Sequence, residues 1–339
     1  MDLQRLPKIE LHCHLDASVR VATVAEIGRE LLIALPHSLE DALVAPETCK
    51  NLADYLCRID LALEVMQRPQ ELRRIARELV EDFAADGVIY GEVRFAPQLH
   101  LRRGMSLQEV VDAVHAGLAD GESRYNVRTG LILCCIRHEP ASRSLEIAQL
   151  AVDNARAGKV CGLDLAGDEA RYPGAPHARA FELARRAGLH RTVHAGEAAG
   201  APSIDEALTT LFAERIGHGV RIEERADVVN RVRSHSITLE MCPKSNVQTR
   251  AVDTFEHHPI SRLLRQGLRV TVSTDGRTIS ATSVTGELAR LFAQSGWGLA
   301  EFWRCQRNAA DAAFASPEIK EELLAKITAA ELRADAEGK

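Results

Sequence analysis

Eight short apolar runs, each followed by a helical pattern, set the strongest limit on what this chain can fold into. They cover residues 8–15, 88–95, 131–137, 162–166, 192–195, 215–218, 237–242 and 269–274. Their apolar residues run on instead of alternating, the mark of parallel strands covered on both faces. Helical stretches fall between them at 70–86, 142–157, 177–187, 223–233 and 259–265. Ser106-Leu107-Gln108-Glu109 and Ser203-Ile204-Asp205-Glu206 each fit a capping box at a helix start. Eight such units predict an α/β fold, a (β/α)8 barrel. An open doubly wound sheet would carry a glycine fingerprint in its first βα turn, and Asp16-Ala17-Ser18 has no glycine.

The 339 residues suit one large barrel or two ordinary domains. No linker, repeat or low-complexity segment divides them, so residues 1–339 are read as a single domain. The first crossover, 17–85, is long and holds helical patterns at 21–32 and 52–66. It predicts an inserted helical layer at the barrel mouth, part of it a lid that excludes water. Residues 284–336 read as helices that seal the barrel.

Barrel enzymes collect their chemistry at the C-terminal ends of the strands. The first run ends His12-Cys13-His14, and side chains two apart leave a strand on one face. Cys13 must then point the other way. The fourth run ends Asp164-Leu165-Ala166-Gly167-Asp168-Glu169, the fifth His194-Ala195-Gly196-Glu197, the sixth Gly217-His218-Gly219, and the eighth Ser273-Thr274-Asp275-Gly276. Taken singly, His194 reads as a packed histidine and Asp275 as a turn cap. Together at one rim, His12, His14, His194 and Asp275 form a ligand set for Zn2+, ahead of iron, cobalt or nickel. An open position on the ion takes water and lowers its pKa to ~7. His218 is placed to hold the resulting hydroxide by a hydrogen bond. Glu197, three residues past His194, becomes a proton donor if burial raises its pKa. The fourth run ends without a lysine to bridge two metals, which points to one ion. The cytidine-deaminase pattern H-x-E with P-C-x-x-C is absent.

Lysine and arginine are dispersed and the net charge is -6, so nothing calls for nucleic acid as a partner. No apolar run reaches membrane-spanning length, and the N-terminus shows no secretion signal. Eight cysteines without a C-x-x-C pair read as reduced thiols of a cytoplasmic protein.

In this order, Pro7-Lys8-Ile9-Glu10-Leu11-His12-Cys13-His14-Leu15-Asp16, Leu163 to Glu169, His194-Ala195-Gly196-Glu197, Ile216-Gly217-His218-Gly219-Val220, Glu240-Met241-Cys242-Pro243-Lys244-Ser245-Asn246 and Ser273-Thr274-Asp275 resemble the adenosine deaminase family. The likeness covers residues of about 7 to 315. It implies hydrolytic deamination at C6 of an adenine ring, with adenosine or 2′-deoxyadenosine, a purine nucleoside, as substrate. The alternative is another adenine derivative, such as adenine or 6-amino-6-deoxyfutalosine. By this resemblance His12, His14, His194 and Asp275 hold one Zn2+, and Asp275 takes a proton from its water. His218 orients the hydroxide and Glu197 protonates N1. His14, the Gly167 N–H and Asp16 face the substrate, Gly167 at N3 and Asp16 at a sugar hydroxyl. Two positions depart from the pattern: Ala17 stands where a glycine is usual, and Gly276 where many members carry an aspartate that meets N7. Arg277 is the neighbouring candidate to meet N7 instead.

Overall fold

The computed structural model describes residues 2–337. Its eight strands are β1 (Lys8–His14), β2 (Val88–Phe95), β3 (Arg128–Ile136), β4 (Gly162–Ala166), β5 (His190–Ala195), β6 (Arg215–His218), β7 (Thr238–Met241) and β8 (Arg269–Val272). They lie in sequence order and every neighbouring pair is parallel. The seam between β8 and β1 is closed by one residue. Asp275 donates its N–H to the His12 carbonyl at 2.9 Å and accepts from the His14 N–H at 2.7 Å. The predicted (β/α)8 barrel is therefore the observed one, and closing it draws Asp275 against both histidines of β1.

Fifteen α-helices follow among the described residues. The first crossover holds α1 (Val21–Glu30), α2 (Leu39–Leu43), α3 (Leu52–Leu56), α4 (Ile59–Val65) and α5 (Pro69–Ala85). The rest are α6 (Leu107–Arg124), α7 (Ala141–Arg156), α8 (Ala178–Arg186), α9 (Ala201–Thr209), α10 (Ala226–Ser234), α11 (Pro243–Gln248), α12 (Ile260–Arg265), α13 (Val284–Gln294), α14 (Leu299–Ala312) and α15 (Pro317–Glu337). Ser106 caps α6 with Glu109 in the predicted reciprocal box. The second predicted box is not one: α9 starts at Ala201 with Gly200 as its cap, and Ser203 lies inside its first turn. Pro202 explains the earlier start, since its fixed φ suits a first turn where its missing N–H is not needed. The Glu206 carboxylate instead accepts from the Gly174 N–H at 2.7 Å. The pattern at 52–66 is broken into α3 and α4, and that at 223–233 into a 3-10 turn and α10. No helix among the described residues is long and apolar enough to cross a membrane.

Strand alternation sorts the side chains. Outward residues such as Leu11, Val93, Leu133, Leu165, Val193, Ile216, Leu239 and Val270 join Phe83, Val114, Ile147 and Phe181 of the helices in one buried apolar layer. Each such burial stabilises the fold by roughly 1.5–3 kcal/mol. Cys13 belongs to that layer, so it does point away from the two histidines. The inward residues are polar, among them Glu10, His12, Glu92, Arg94, Asp164, Thr192, His194, Arg215 and Glu240, all buried. A polar interior needs partners for every group, and those partners shape the site above it.

Candidate metal and catalytic site

His12, His14, His194 and Asp275 gather at the C-terminal rim, with one ligand atom from each within 4.8 Å of all the others. His14 Nε2 and His194 Nε2 are 3.1 Å apart, and His12 Nε2 and His14 Nε2 each lie 3.5 Å from Asp275 Oδ1. His12 donates from Nδ1 to Glu240 Oε2 at 2.9 Å, which fixes its tautomer and turns the Nε2 lone pair inward. That Nε2 is buried and has no hydrogen-bond partner. His194 is held in the same way by Asp164, whose Oδ1 is 3.1 Å from Nδ1. Burial lowers the His12 pKa to about 4, with the Arg94 and His194 charges adding to the fall, and burial also lowers that of His14. For His194 burial is outweighed by the Asp164 carboxylate, which raises its pKa. Imidazole nitrogens with a shared inward focus, one of them orphaned, fit a divalent transition cation, and three nitrogens with one carboxylate suit zinc.

Gly217 makes room for this arrangement. A Cβ there would sit 2.9 Å from His12 Cε1, so the close approach that the glycine permits is to the His12 ring. Its neighbour His218 has φ 63°, as does Asp275. Left-handed backbone is unusual for such residues and clusters where a side chain must be aimed. The aim of His218 is set by a relay. The Ile260 N–H can only donate, and it donates to His258 Nδ1 at 3.3 Å. His258 therefore carries its proton on Nε2 and donates to Asn246 Oδ1 at 3.2 Å. The Asn246 amide then donates to His218 Nδ1 at 3.0 Å. His218 is left with a proton on Nε2, 3.6 Å from Glu197 Oε2.

Glu197 is buried and accepts from Thr249 Oγ1 at 3.0 Å. Burial pushes its pKa up, and the nearby Asp275 and Glu169 carboxylates add to the rise against an opposing pull from His218. Asp16 is buried, with its pKa raised to about 7 by burial, and its Oδ1 lacks a partner. Gly167 ends β4 with φ +99°, a backbone that favours glycine. A cavity of about 530 Å³ opens beside Glu197, walled by Lys50, Leu52, Asp168, Ala198, Thr249 and Arg250. Its outer wall comes from the long first crossover, which is tied to the barrel mouth. Ala45 N–H bonds to the Ile279 carbonyl and Cys49 N–H to that of Gln248, both at 2.8 Å, while Tyr55 Oη meets Ser280 Oγ at 2.8 Å.

One expectation is overturned. Arg277 does not face the site; its guanidinium donates to Asp86 Oδ2 at 3.0 Å and lies over the Phe83 ring. Asp86 is nearly fully buried and needs that cation, while α13 supplies two further N–H donors to it from Val284 and Thr285. The two departures at Ala17 and Gly276 prove to be one, because a Cβ on Gly276 would stand 2.6 Å from Ala17 Cβ.

Sequence reasoning assigned no role to Asp164, Glu240, Arg94, His258, Ser245 or Thr249. Ser245 Oγ donates to Asp275 Oδ2 at 2.6 Å, and Arg94 joins Asp164 at 3.1 Å to Glu240 at 2.7 Å. A signal did exist for some of them: 92/94 and 192/194 share strand parity, and an acid in the middle of Gly162-Leu163-Asp164-Leu165-Ala166 has no apolar use.

A parallel barrel with this cluster at its C-terminal rim defines a metal-dependent hydrolase of the amidohydrolase type. The family model described as adenosine deaminase matches residues 7–330. An adenosine deaminase of Clostridium botulinum is 39% identical over 328 residues, 95% of this chain and 97% of the relative. Among solved structures, the adenine deaminase from Arthrobacter aurescens superposes with a TM-score of 0.89 at 30% identity, covering 95% of this chain and 98% of the other. The Arabidopsis N6-mAMP deaminase does so at 0.87 and 28%, covering 96% and 99%. This chain belongs to the adenosine deaminase family.

Proposed function

We propose that this chain, acting as one domain, is a zinc-dependent aminohydrolase. With one water it converts adenosine and 2′-deoxyadenosine to inosine and 2′-deoxyinosine, releasing ammonia. His12, His14, His194 and Asp275 hold a single Zn2+. When bound, the ion supplies a Lewis acid that brings the pKa of water to about 7. Asp275, whose second oxygen is tethered by Ser245, accepts the proton that the attacking water gives up. His218 aims its Nε2–H at the water oxygen and so holds it on one face of the purine. Glu197 delivers a proton to N1, which lowers the cost of breaking aromaticity as C6 becomes tetrahedral. The Gly167 N–H meets N3, Asp16 accepts from a sugar hydroxyl, and His14 borders the same space. The layer over the mouth excludes water from this exchange.

The observation that carries the reading is the buried Glu197, its pKa pushed up by burial, with Oε2 3.6 Å from His218 Nε2 beside the histidine cluster. A zinc amidase or esterase has no need of a ring-nitrogen proton donor at that point. The test is ammonia release from the zinc-loaded protein over adenosine, 2′-deoxyadenosine, adenine, N6-methyl-AMP and 6-amino-6-deoxyfutalosine, with Glu197→Gln alongside. Turnover of adenosine that falls by about 10²-fold or more in Glu197→Gln is expected, the usual scale for a general acid. Preference for another compound on the panel would overturn the substrate, and an unimpaired Glu197→Gln would overturn the mechanism.

A further inference from the structure

Glu169 follows β4 and has no place in the chemistry above, yet it is 4% exposed and its carboxylate takes four hydrogen bonds from one loop. Its Oε1 accepts from the Gly196 N–H at 2.6 Å. Its Oε2 accepts from the N–H groups of Glu197, Ala198 and Ala199 at 3.0, 2.7 and 3.0 Å. These are the four residues after β5, in the link that leads to α9 at Ala201. Four successive N–H groups turned toward one point make an anion-binding concavity of the backbone. Here the anion is a side chain of the same protein. The loop is tied on its other side as well, since the Gly196 carbonyl accepts from Arg221 N–H and the Ala198 carbonyl from the Arg221 guanidinium, both at 2.9 Å.

We infer that Glu169 is a positioning residue for Glu197: it fixes the backbone that carries the proton donor, while Thr249 fixes the donor's carboxyl. This rests on the reading of Glu197 as that donor. Remove the carboxylate and four N–H groups crowded at one point lose their acceptor. The link must then turn toward solvent, and the Glu197 Cα goes with it. A shift of ~1 Å in a reacting group is enough to lower a rate by about 10²-fold. A neutral amide at 169 does not substitute, because its NH2 faces donors where an acceptor is needed.

The test compares Glu169→Gln, Glu197→Gln and the double variant, all zinc-loaded. Glu169→Gln is expected to lower kcat by about 10- to 100-fold, with KM within about twofold and zinc content unchanged. If Glu169 acts through Glu197, adding Glu169→Gln to Glu197→Gln lowers the residual rate by less than about twofold, as for residues that work as a unit. Losses that multiply would overturn the inference and leave the function standing. A fully active Glu197→Gln would instead remove the reading beneath it. Amide hydrogen exchange on the unaltered protein gives a result even if Glu169→Gln does not fold. The amides of 196–199 should be strongly protected, and exchange at the rate of an open loop would refute the anchor.

Discussion

Ala17 and Gly276 should behave as one steric unit, and a double-mutant cycle measures it. A methyl at 276 would lie 2.6 Å from Ala17 Cβ and 3.1 Å from the Ala17 carbonyl oxygen. Carbon atoms in ordinary contact are about 3.5–4.0 Å apart, so Gly276→Ala forces a displacement of about 1 Å. The surroundings resist it: the Ala17 carbonyl is bonded to the N–H groups of Thr278 and Ile279, and Ala17 is buried against Tyr55 and Ile279. Overpacking of this kind costs about 1–3 kcal/mol. At roughly 2.1 cal/mol/K per residue, 339 residues give an unfolding entropy of about 0.7 kcal/mol/K. Gly276→Ala alone should thus lower Tm by about 1.5–4 °C in scanning calorimetry on zinc-loaded protein. Ala17→Gly alone should also destabilise, by about 1–2 kcal/mol, through a lost buried methyl and a freer unfolded chain. Together the two should cost about 1–3 kcal/mol less than their sum, with some strain left from the carbonyl contact. Additive losses would show that the overlap is relieved elsewhere. The same overlap bars a larger side chain at 276, so Gly276→Asp should be tolerated only with Ala17→Gly.

Arg94→Met removes the guanidinium between two buried acids. Asp164 would then lack its guanidinium partner and Glu240 would keep only Arg215, and metal-free protein should lose about 3–5 kcal/mol in denaturant titrations; a smaller effect would mean that water enters the barrel interior. Glu287 is fully buried and burial raises its pKa to about 7, despite bonds from Thr282 and the Lys244 N–H. Its folded pKa lies above its unfolded value, so its contribution is present in full below about 4.5 and is lost as pH rises through about 7, up to about 3 kcal/mol. Glu287→Gln should therefore raise Tm relative to the unaltered protein at pH 8–9 and not at pH 5, and equal shifts at both would refute the assignment.

The barrel was legible because its strand segments are short, rich in apolar residues and spaced by helices, although the inward positions are polar where the sequence reading expected apolar residues on both faces. The rim was legible for a related reason: strand parity places His12 beside His14, and strand ends are where a barrel exposes polar atoms. What escaped depends on contacts between distant residues. Nothing local in Glu169 announces four N–H donors 27 to 30 residues away. The tautomer of His218 is decided by a backbone N–H at Ile260, through two side chains that come together only in the folded state. Arg277 was misread because proximity in sequence to Asp275 was taken for proximity in space. An arginine is long enough to reach Asp86, and a buried carboxylate there outweighs an open mouth.

The barrel interior gives a separate reason to expect a dication. Beneath and within the site, Glu92, Asp164, Glu240 and Asp275 carry four formal negative charges, and Arg94 and Arg215 carry two positive ones. All six residues are buried. Arg215 pairs with Glu92 and with Glu240 at 2.7 Å, and Arg94 with Asp164 and Glu240. The sum over these six is minus two; Glu10, Asp16 and Glu197 are buried there as well, and burial pushes their carboxyls up, while the Asp164 carboxylate outweighs burial to raise His194. A divalent ion at the rim would offset this charge. Asp275→Asn should accordingly cost more stability with the ion bound than without it. Asparagine tolerates the left-handed backbone required at 275 and can still accept from Ser245. Without metal, Asp275→Asn should lower the unfolding temperature modestly, because burial of the Asp275 carboxylate is outweighed by the His12 hydrogen bond and by His218 and His14, which hold it well below the usual carboxylate range. With saturating Zn2+ the loss should be larger, because a proposed ligand is gone and ion binding contributes less to stability. Calorimetry on chelator-treated and zinc-loaded samples reads both arms. If the loss is no larger with Zn2+ than without it, Asp275 does not hold the ion.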